Sequence, residues 1–225
     1  MYHYIRVNPN PRDKFGADLS VRPAMFAQQM NLLAADGFHT MSIDDLAAAI
    51  LNGAPLPGHP IILTFDDGYE DFYTAAFPIL SKYHLSATSF VITGKVGWGG
   101  YLTWDQMRTM QATGLVQFES HTVHHVEMTG ISLARAQREL IDSKAALEQQ
   151  LGTHVDVFCY PSGRHNERIE MLLRQDGYIA GVSTRPGVVH NMADLDALTR
   201  VRIHGSDTLK DFARKIGAAL PAGFH

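Results

Sequence analysis

The stretch Ile61-Ile62-Leu63-Thr64-Phe65-Asp66-Asp67-Gly68 carries a run of apolar and β-branched residues straight into two carboxylates and a glycine. A short apolar run preceded by Pro57-Gly58-His59-Pro60 and closed by Gly68 fits a strand covered on both faces, as in a parallel sheet. Parallel sheets bind ligands where their strands end, so the pattern delivers acids to a site. The competing reading is a turn, because Asp-Gly is ordinary turn chemistry. The rest of the chain has to decide between them.

Strand and helix signals alternate on both sides of this stretch. Upstream, Tyr2 to Val7 alternates like a strand carrying His3, and Asn8 to Asp13 forces a loop. Pro23 then opens a helix through Phe26, Met30 and Leu33 that Asp36-Gly37 ends. Phe38 to Met41 is a short strand, Ser42 and Asp45 form a capping box, and Gly53 to Pro60 is a linker. Downstream, Phe72 to Tyr83 reads as a helix kinked at Pro78, Ala87 to Ile92 as a central strand, and Gly94 to Gly100 as a mobile loop. Thr103 and Gln106 cap the next helix, and Leu115 to Glu119 is a strand ending in Ser120-His121-Thr122-Val123-His124-His125. Ser132 to Leu151 is the longest helix, stopped by Gly152. Val155 to Tyr160 is a strand closed by Pro161-Ser162-Gly163, and Asn166 caps a helix. Tyr178 to Thr184 and Leu198 to Ile203 are the last strands, and Ser206 opens the last helix. About seven alternations predict a parallel, barrel-like α/β fold, with an open doubly wound sheet as the other arrangement.

Composition sets the outer limits. With 225 residues, 45% of them hydrophobic and 19% charged, the chain has enough apolar material for one α/β domain spanning residues 1–225. A net charge of -4 gives no electrostatic reason to expect nucleic acid or an anionic membrane surface as partner. No apolar stretch approaches membrane-spanning length, and Met1-Tyr2-His3-Tyr4 lacks a signal-peptide pattern. Cys159 is the only cysteine, so neither an intrachain disulfide nor a cysteine-based zinc site is available. No glycine-rich phosphate-binding loop follows any strand.

The chemistry lies at the strand ends. Asp66 and Asp67 end one strand, His121 and His125 follow another, Pro161-Ser162-Gly163 ends a third and His204 a fourth; in a parallel barrel those ends share one face. Carboxylate oxygen with two imidazole nitrogens suits zinc or another divalent transition metal, and three protein ligands leave a position for water. Such a site is hydrolytic, and a second carboxylate outside the metal shell can take the water's proton. Both acids reach one site only where strand alternation breaks, which Gly68 permits. The opposing reading makes His121 and His125 polar loop residues; in the metal reading His124 lies behind the ligands or faces solvent.

Thr64-Phe65-Asp66-Asp67-Gly68, Ser120 to His125 and Phe158-Cys159-Tyr160-Pro161-Ser162-Gly163 resemble the first three motifs of the polysaccharide deacetylases, the NodB-homology or carbohydrate esterase family 4 group. The resemblance covers most of the chain. It implies a distorted (β/α)7 barrel and metal-dependent removal of acetyl groups from sugars. Asp66 is then the expected general base, with Asp67, His121 and His125 holding one divalent ion, most simply Zn2+, with Co2+, Ni2+ or Fe2+ as alternatives. Thr122 is expected to hold the histidine loop, and Pro161-Ser162 to present the Ser162 N–H to the oxyanion.

The later motifs depart from the commonest pattern. Many members carry an arginine where this chain has Cys159, and the usual Asp and Trp of the fourth motif are not evident around Ala180 to Ser183. Ile203-His204 is the best match to the fifth motif, which makes His204 the expected general acid, with His3 as the competing acid or a substrate-orienting group. These departures resemble the subgroup acting on β-1,6-linked poly-N-acetylglucosamine. The expected substrate is therefore an acetylated polysaccharide met, by the resemblance, in the periplasm or at the cell surface, with the cytoplasm as the alternative because no export signal is evident. Two rivals stand beside it: a hydrolase using the same residues on a small amide or ester, and a non-catalytic carbohydrate-binding relative.

Overall fold

The computed structural model describes residues 1–219; the last residues of the expected single domain lie outside them. The strands are β1 (Tyr4–Ile5), β2 (Ser20–Val21), β3 (His39–Thr40), β4 (Pro60–Ile61), β5 (Thr64–Phe65), β6 (Ala87–Val91), β7 (Val116–Ser120), β8 (Val157–Cys159) and β9 (Ala180–Val182). The helices are α1 (Lys14–Leu19), α2 (Pro23–Ala35), α3 (Ile43–Asn52), α4 (Phe77–Tyr83), α5 (Trp104–Gln111), α6 (Leu133–Leu151), α7 (Glu167–Gln175) and α8 (Leu209–Ile216).

β5 to β9 form one parallel sheet in sequential order. A doubly wound sheet needs its strand order to reverse; this one never does. Two irregular segments carry the sheet round instead. Tyr2 bridges Phe65 beside β5, and Leu198 bridges Val182 beside β9. The segment after Leu198 then reaches Met1, where Ile203 N–H donates to Met1 C=O at 3.1 Å and the Met1 amino group to Val201 C=O at 2.8 Å. The five strands and these two segments make the seven staves of a distorted (β/α)7 barrel.

The outer layer of core packs Phe65, Phe118 and Phe158 against helix residues such as Phe26, Leu80, Leu140 and Phe212. Inside, α3 lays Ile43 and Ala47 against Phe90, Val157, Ala180 and Val182, which closes that end of the barrel with apolar side chains. The capping boxes at Ser42/Asp45 and Thr103/Gln106 form as expected, and Gly152 ends α6 in the left-handed conformation.

Four details differ from the sequence reading. The apolar run is split: Pro60–Ile61 pairs with β3, while Thr64–Phe65 pairs with β6. α1 was not expected, because Asn8 to Asp13 hides its N-cap, Asp13, whose carboxylate accepts from Gly16 N–H. The Pro78 kink is spread over a π-helical turn at Phe72–Ala76 that leads into α4. The last helix opens at Thr208, in a capping box with Asp211, not at Ser206.

Candidate metal centre

β5 stops at Phe65, and the break in alternation falls on Asp67 itself, whose φ is 77°, followed by Gly68 at 74°. Asp66 and Asp67 are thereby both brought to one site, buried to 3% and 7% exposure. A Cβ on Gly68 would lie 3.3 Å from Val91 Cγ1, so glycine serves both the φ and the close approach. Thr122, His125 and Ser162 also have positive φ, and with Asp67 they are four of the six such non-glycine residues among those described. Strained backbone concentrated this way marks a site whose surroundings hold it in place.

β7 delivers His121 at its end. Its Nδ1 lies 2.7 Å from the Cys159 carbonyl oxygen, which fixes Nδ1 as the protonated nitrogen and turns Nε2 inward. The Thr122 hydroxyl accepts from His125 N–H at 2.8 Å, closing the loop as expected. α6 props the same loop from behind: buried Glu139 accepts from Val123 and His124 N–H at 2.9 and 3.0 Å and meets His124 Nδ1 at 2.8 Å. His124 itself is 65% exposed, so it is both a support to the loop and solvent-facing.

His121 Nε2 and His125 Nε2 each lie 3.3 Å from the same oxygen, Asp67 Oδ1. In a tetrahedral zinc site with bonds of about 2.0–2.1 Å, ligand atoms lie about 3.3 Å apart, so the donor set fits such an ion. The protonation pattern agrees. A neutral His121 turns a lone pair toward the carboxylate, a repulsive contact unless a cation lies between them. Burial disfavours charge on that ring, yet Cys159 and, after it, the Asp67 carboxylate draw its pKa well up, so the surroundings favour positive charge at this point. Burial and His121 lower the His125 pKa, favouring the neutral form that ligates metals.

Asp66 lies outside that trio and is engaged differently. Arg200 forks onto it, Nη1 to Oδ1 and Nη2 to Oδ2 both at 2.7 Å, while its Nε donates to Ser183 C=O at 2.9 Å. Burial alone would push the Asp66 pKa up, but the Arg200 charge and its hydrogen bonds hold the carboxyl well below the usual range. Arg200 Nη2 also lies 3.3 Å from Cys159 Sγ. The guanidinium thus comes from the stave after Leu198, two staves on from the motif position at Cys159, and the small Cys159 leaves room for it. Sequence reading missed Arg200. The available signal was Arg200 and Arg202 at alternate positions of the expected strand Leu198 to Ile203, where a charge turned into the core needs a partner.

The two acid candidates part company. His3 Nε2 is 4.0 Å from Asp66 Oδ2 with its side chain 12% exposed, and burial lowers its pKa against the pull of Asp66 and Asp67. His204 instead sets Nδ1 2.9 Å from Asp18 Oδ1 and donates its N–H to Asp207, so its contacts lie away from the carboxylate pair. Pro161 and Ser162 form a tight turn after β8, closed by Gly163 N–H to Tyr160 C=O and Arg164 N–H to Pro161 C=O. The Ser162 N–H takes no part in either closing bond.

A family model described as polysaccharide deacetylase matches residues 53–181. The chain belongs to the polysaccharide deacetylase family. It is 32% identical to the putative polysaccharide deacetylase YxkH of Bacillus subtilis, over 90% of this chain and 70% of that protein. A poly-β-1,6-N-acetyl-D-glucosamine N-deacetylase of Escherichia coli K12 is 31% identical over 88% of this chain, which spans only 36% of that enzyme. Among solved structures, the Streptococcus pyogenes deacetylase PplD in complex with acetate superposes with a TM-score of 0.89 at 34% identity, covering 96% of both chains. The Asp67, His121 and His125 trio therefore stands in a deacetylase fold, and metal dependence is the family's habit.

Proposed function

We propose that this deacetylase is a divalent-metal-dependent hydrolase that removes N-acetyl groups from a poly-N-acetylglucosamine, with β-1,6 linkage as the first choice. The observation that carries the proposal is a buried, ionised carboxylate, Asp66, next to but outside the Asp67, His121 and His125 trio. A carboxylate in that position is dispensable for binding metal and useful for accepting a proton. The E. coli relative's substrate supports the linkage.

Asp67, His121 and His125 would hold the ion, and zinc suits this donor set best. When bound, such an ion polarises the acetyl carbonyl and lowers the pKa of a water. Asp66 takes the proton as the water oxygen adds to the carbonyl carbon. Arg200 keeps Asp66 ionised and aimed. The Ser162 N–H donates to the oxygen that becomes negative. As the C–N bond breaks, His3 gives a proton to the departing nitrogen, leaving acetate and a glucosamine unit. His3 is preferred to His204 because it contacts Asp66. Such a polymer lies outside the cytoplasm, which puts the action in the periplasm or at the cell surface. Among the described residues no helix is long and apolar enough to cross a membrane.

The test is acetate release from N-acetylglucosamine oligomers by the metal-loaded protein, after chelation, and after zinc or cobalt is restored. Asp66→Asn should keep its metal and lose turnover by about 10²- to 10⁴-fold, whereas His125→Ala should lose both. Wild-type turnover in Asp66→Asn removes Asp66 from the base role. Tight metal binding without acetate from any acetylated sugar overturns the activity.

A further inference from the structure

The segment from Thr93 to Leu102 joins the two ligand-bearing loops. On one side Thr93 N–H donates to Thr122 C=O at 3.1 Å and Gly94 N–H to Val123 C=O at 3.0 Å. A Cβ at Gly94 would meet that Val123 oxygen at 2.5 Å, so the approach needs glycine. On the other side Leu102 N–H donates to Gly68 C=O and Glu70 N–H to Gly100 C=O, both at 2.9 Å, and Tyr69 bridges Tyr101. The loop is thus pinned between the Asp67 turn and the histidine loop and forms one wall of the site, in contrast to the mobile loop expected from its glycines.

Trp98 stands on this wall. It is 60% exposed, and a turn fixes its backbone: Trp98 N–H donates to Lys95 C=O and Tyr101 N–H to Trp98 C=O, both at 3.0 Å. The Lys95 ammonium lies 4.1 Å from the ring centroid, covering one face and leaving the exposed area to the rest of the ring. Three residues on, Tyr101 begins a separate run of aromatic rings that leads to the segment bearing His3. The Tyr101 ring is 5.1 Å from Tyr69, and Tyr69 is stacked at 3.8 Å on Tyr4, the residue after His3. The other tryptophan, Trp104, packs against the core.

We propose that Trp98 is a sugar-stacking residue, binding the pyranose ring next to the one being deacetylated, so that chain length governs the rate. A β-configured glucosamine ring presents a face of axial C–H groups. That face is apolar and flat enough to lie on an indole, while the sugar hydroxyls stay in water. A rigid ring loses little side-chain entropy on binding. The inference rests on the deacetylase reading and adds a subsite to it.

The test compares kcat/KM for acetate release from an N-acetylglucosamine monomer and a β-1,6-linked pentamer. In Trp98→Ala the pentamer-to-monomer ratio should fall about ten-fold, the scale of one well-placed aromatic contact, and Trp98→Phe should restore most of it. A ratio equal to wild type overturns the proposal. Pentamer binding to Asp66→Asn, measured by calorimetry with and without Trp98→Ala, is a readout independent of turnover. If the wild-type enzyme releases no acetate, the deacetylase reading fails, and this calorimetric comparison still decides whether Trp98 holds sugar.

Discussion

Replacing Arg200 by methionine should move the acid limb of activity to higher pH. Both partners of the Arg200 and Asp66 pair are buried, at 8% and 3% exposure, and the fork makes two 2.7 Å bonds. An opposite charge at such range lowers a carboxyl pKa by about 1–3 units. Without it, burial governs Asp66 and raises its pKa above the ordinary aspartate value. The base must be ionised to accept a proton, so kcat/KM of R200M should lose activity at about 1–3 pH units above the wild-type limb and recover partly in alkali. Stability should change in the same sense. In the wild type the depressed Asp66 pKa contributes stability above the unfolded value of about 3.9, lost as the pH falls through the folded pKa. In the variant the raised pKa contributes only below the unfolded value and is lost as pH rises through the folded one. The stability gap is therefore largest at neutral pH, about 3–5 kcal/mol for a broken buried pair, and narrows toward acid. The assays are pH profiles and denaturant unfolding on protein of known metal content. Superimposable acid limbs at full metal occupancy would refute the role assigned to Arg200.

His3→Gln should reduce kcat by about 10²- to 10⁴-fold and flatten the alkaline limb, because the wild-type acid stops working once its ring loses its proton; a retained alkaline limb would point back to His204. Glu139→Ala leaves the Val123 and His124 N–H groups without their acceptor and should weaken metal binding about 10- to 100-fold in a competition titration. Glu139→Gln, which keeps an acceptor oxygen, should recover most of that, and unchanged affinity in the alanine variant would show that α6 does not support the loop.

Some of this molecule is fixed by neighbours in sequence. The break at Asp67-Gly68, the loop from His121 to His125, the capping boxes at Ser42 and Thr103 and the stop at Gly152 depend on a few adjacent residues. Backbone sterics and local hydrogen bonds act within that range, so the metal trio and the alternation of strand and helix could be read directly. The arginine beside Asp66 could not. Arg200 and Asp66 are 134 positions apart, and the pairing exists only because the stave after Leu198 returns to Met1 and closes the barrel. His204 was likewise the expected acid from its motif, with His3 on the first strand as its competitor. The fold buries one beside Asp66 and ties the other to Asp18 by a hydrogen bond, which is why the proposed mechanism favours His3. The glycines of the Gly94 to Gly100 segment suggested motion when read alone. Folded, Gly94 lets the backbone approach Val123, Gly97 and Gly100 turn the chain at positive φ, and the segment became a wall between two loops. Local sequence determined which groups are chemically able; barrel closure decided which of them meet, because contacts across a barrel depend on the path of the whole chain.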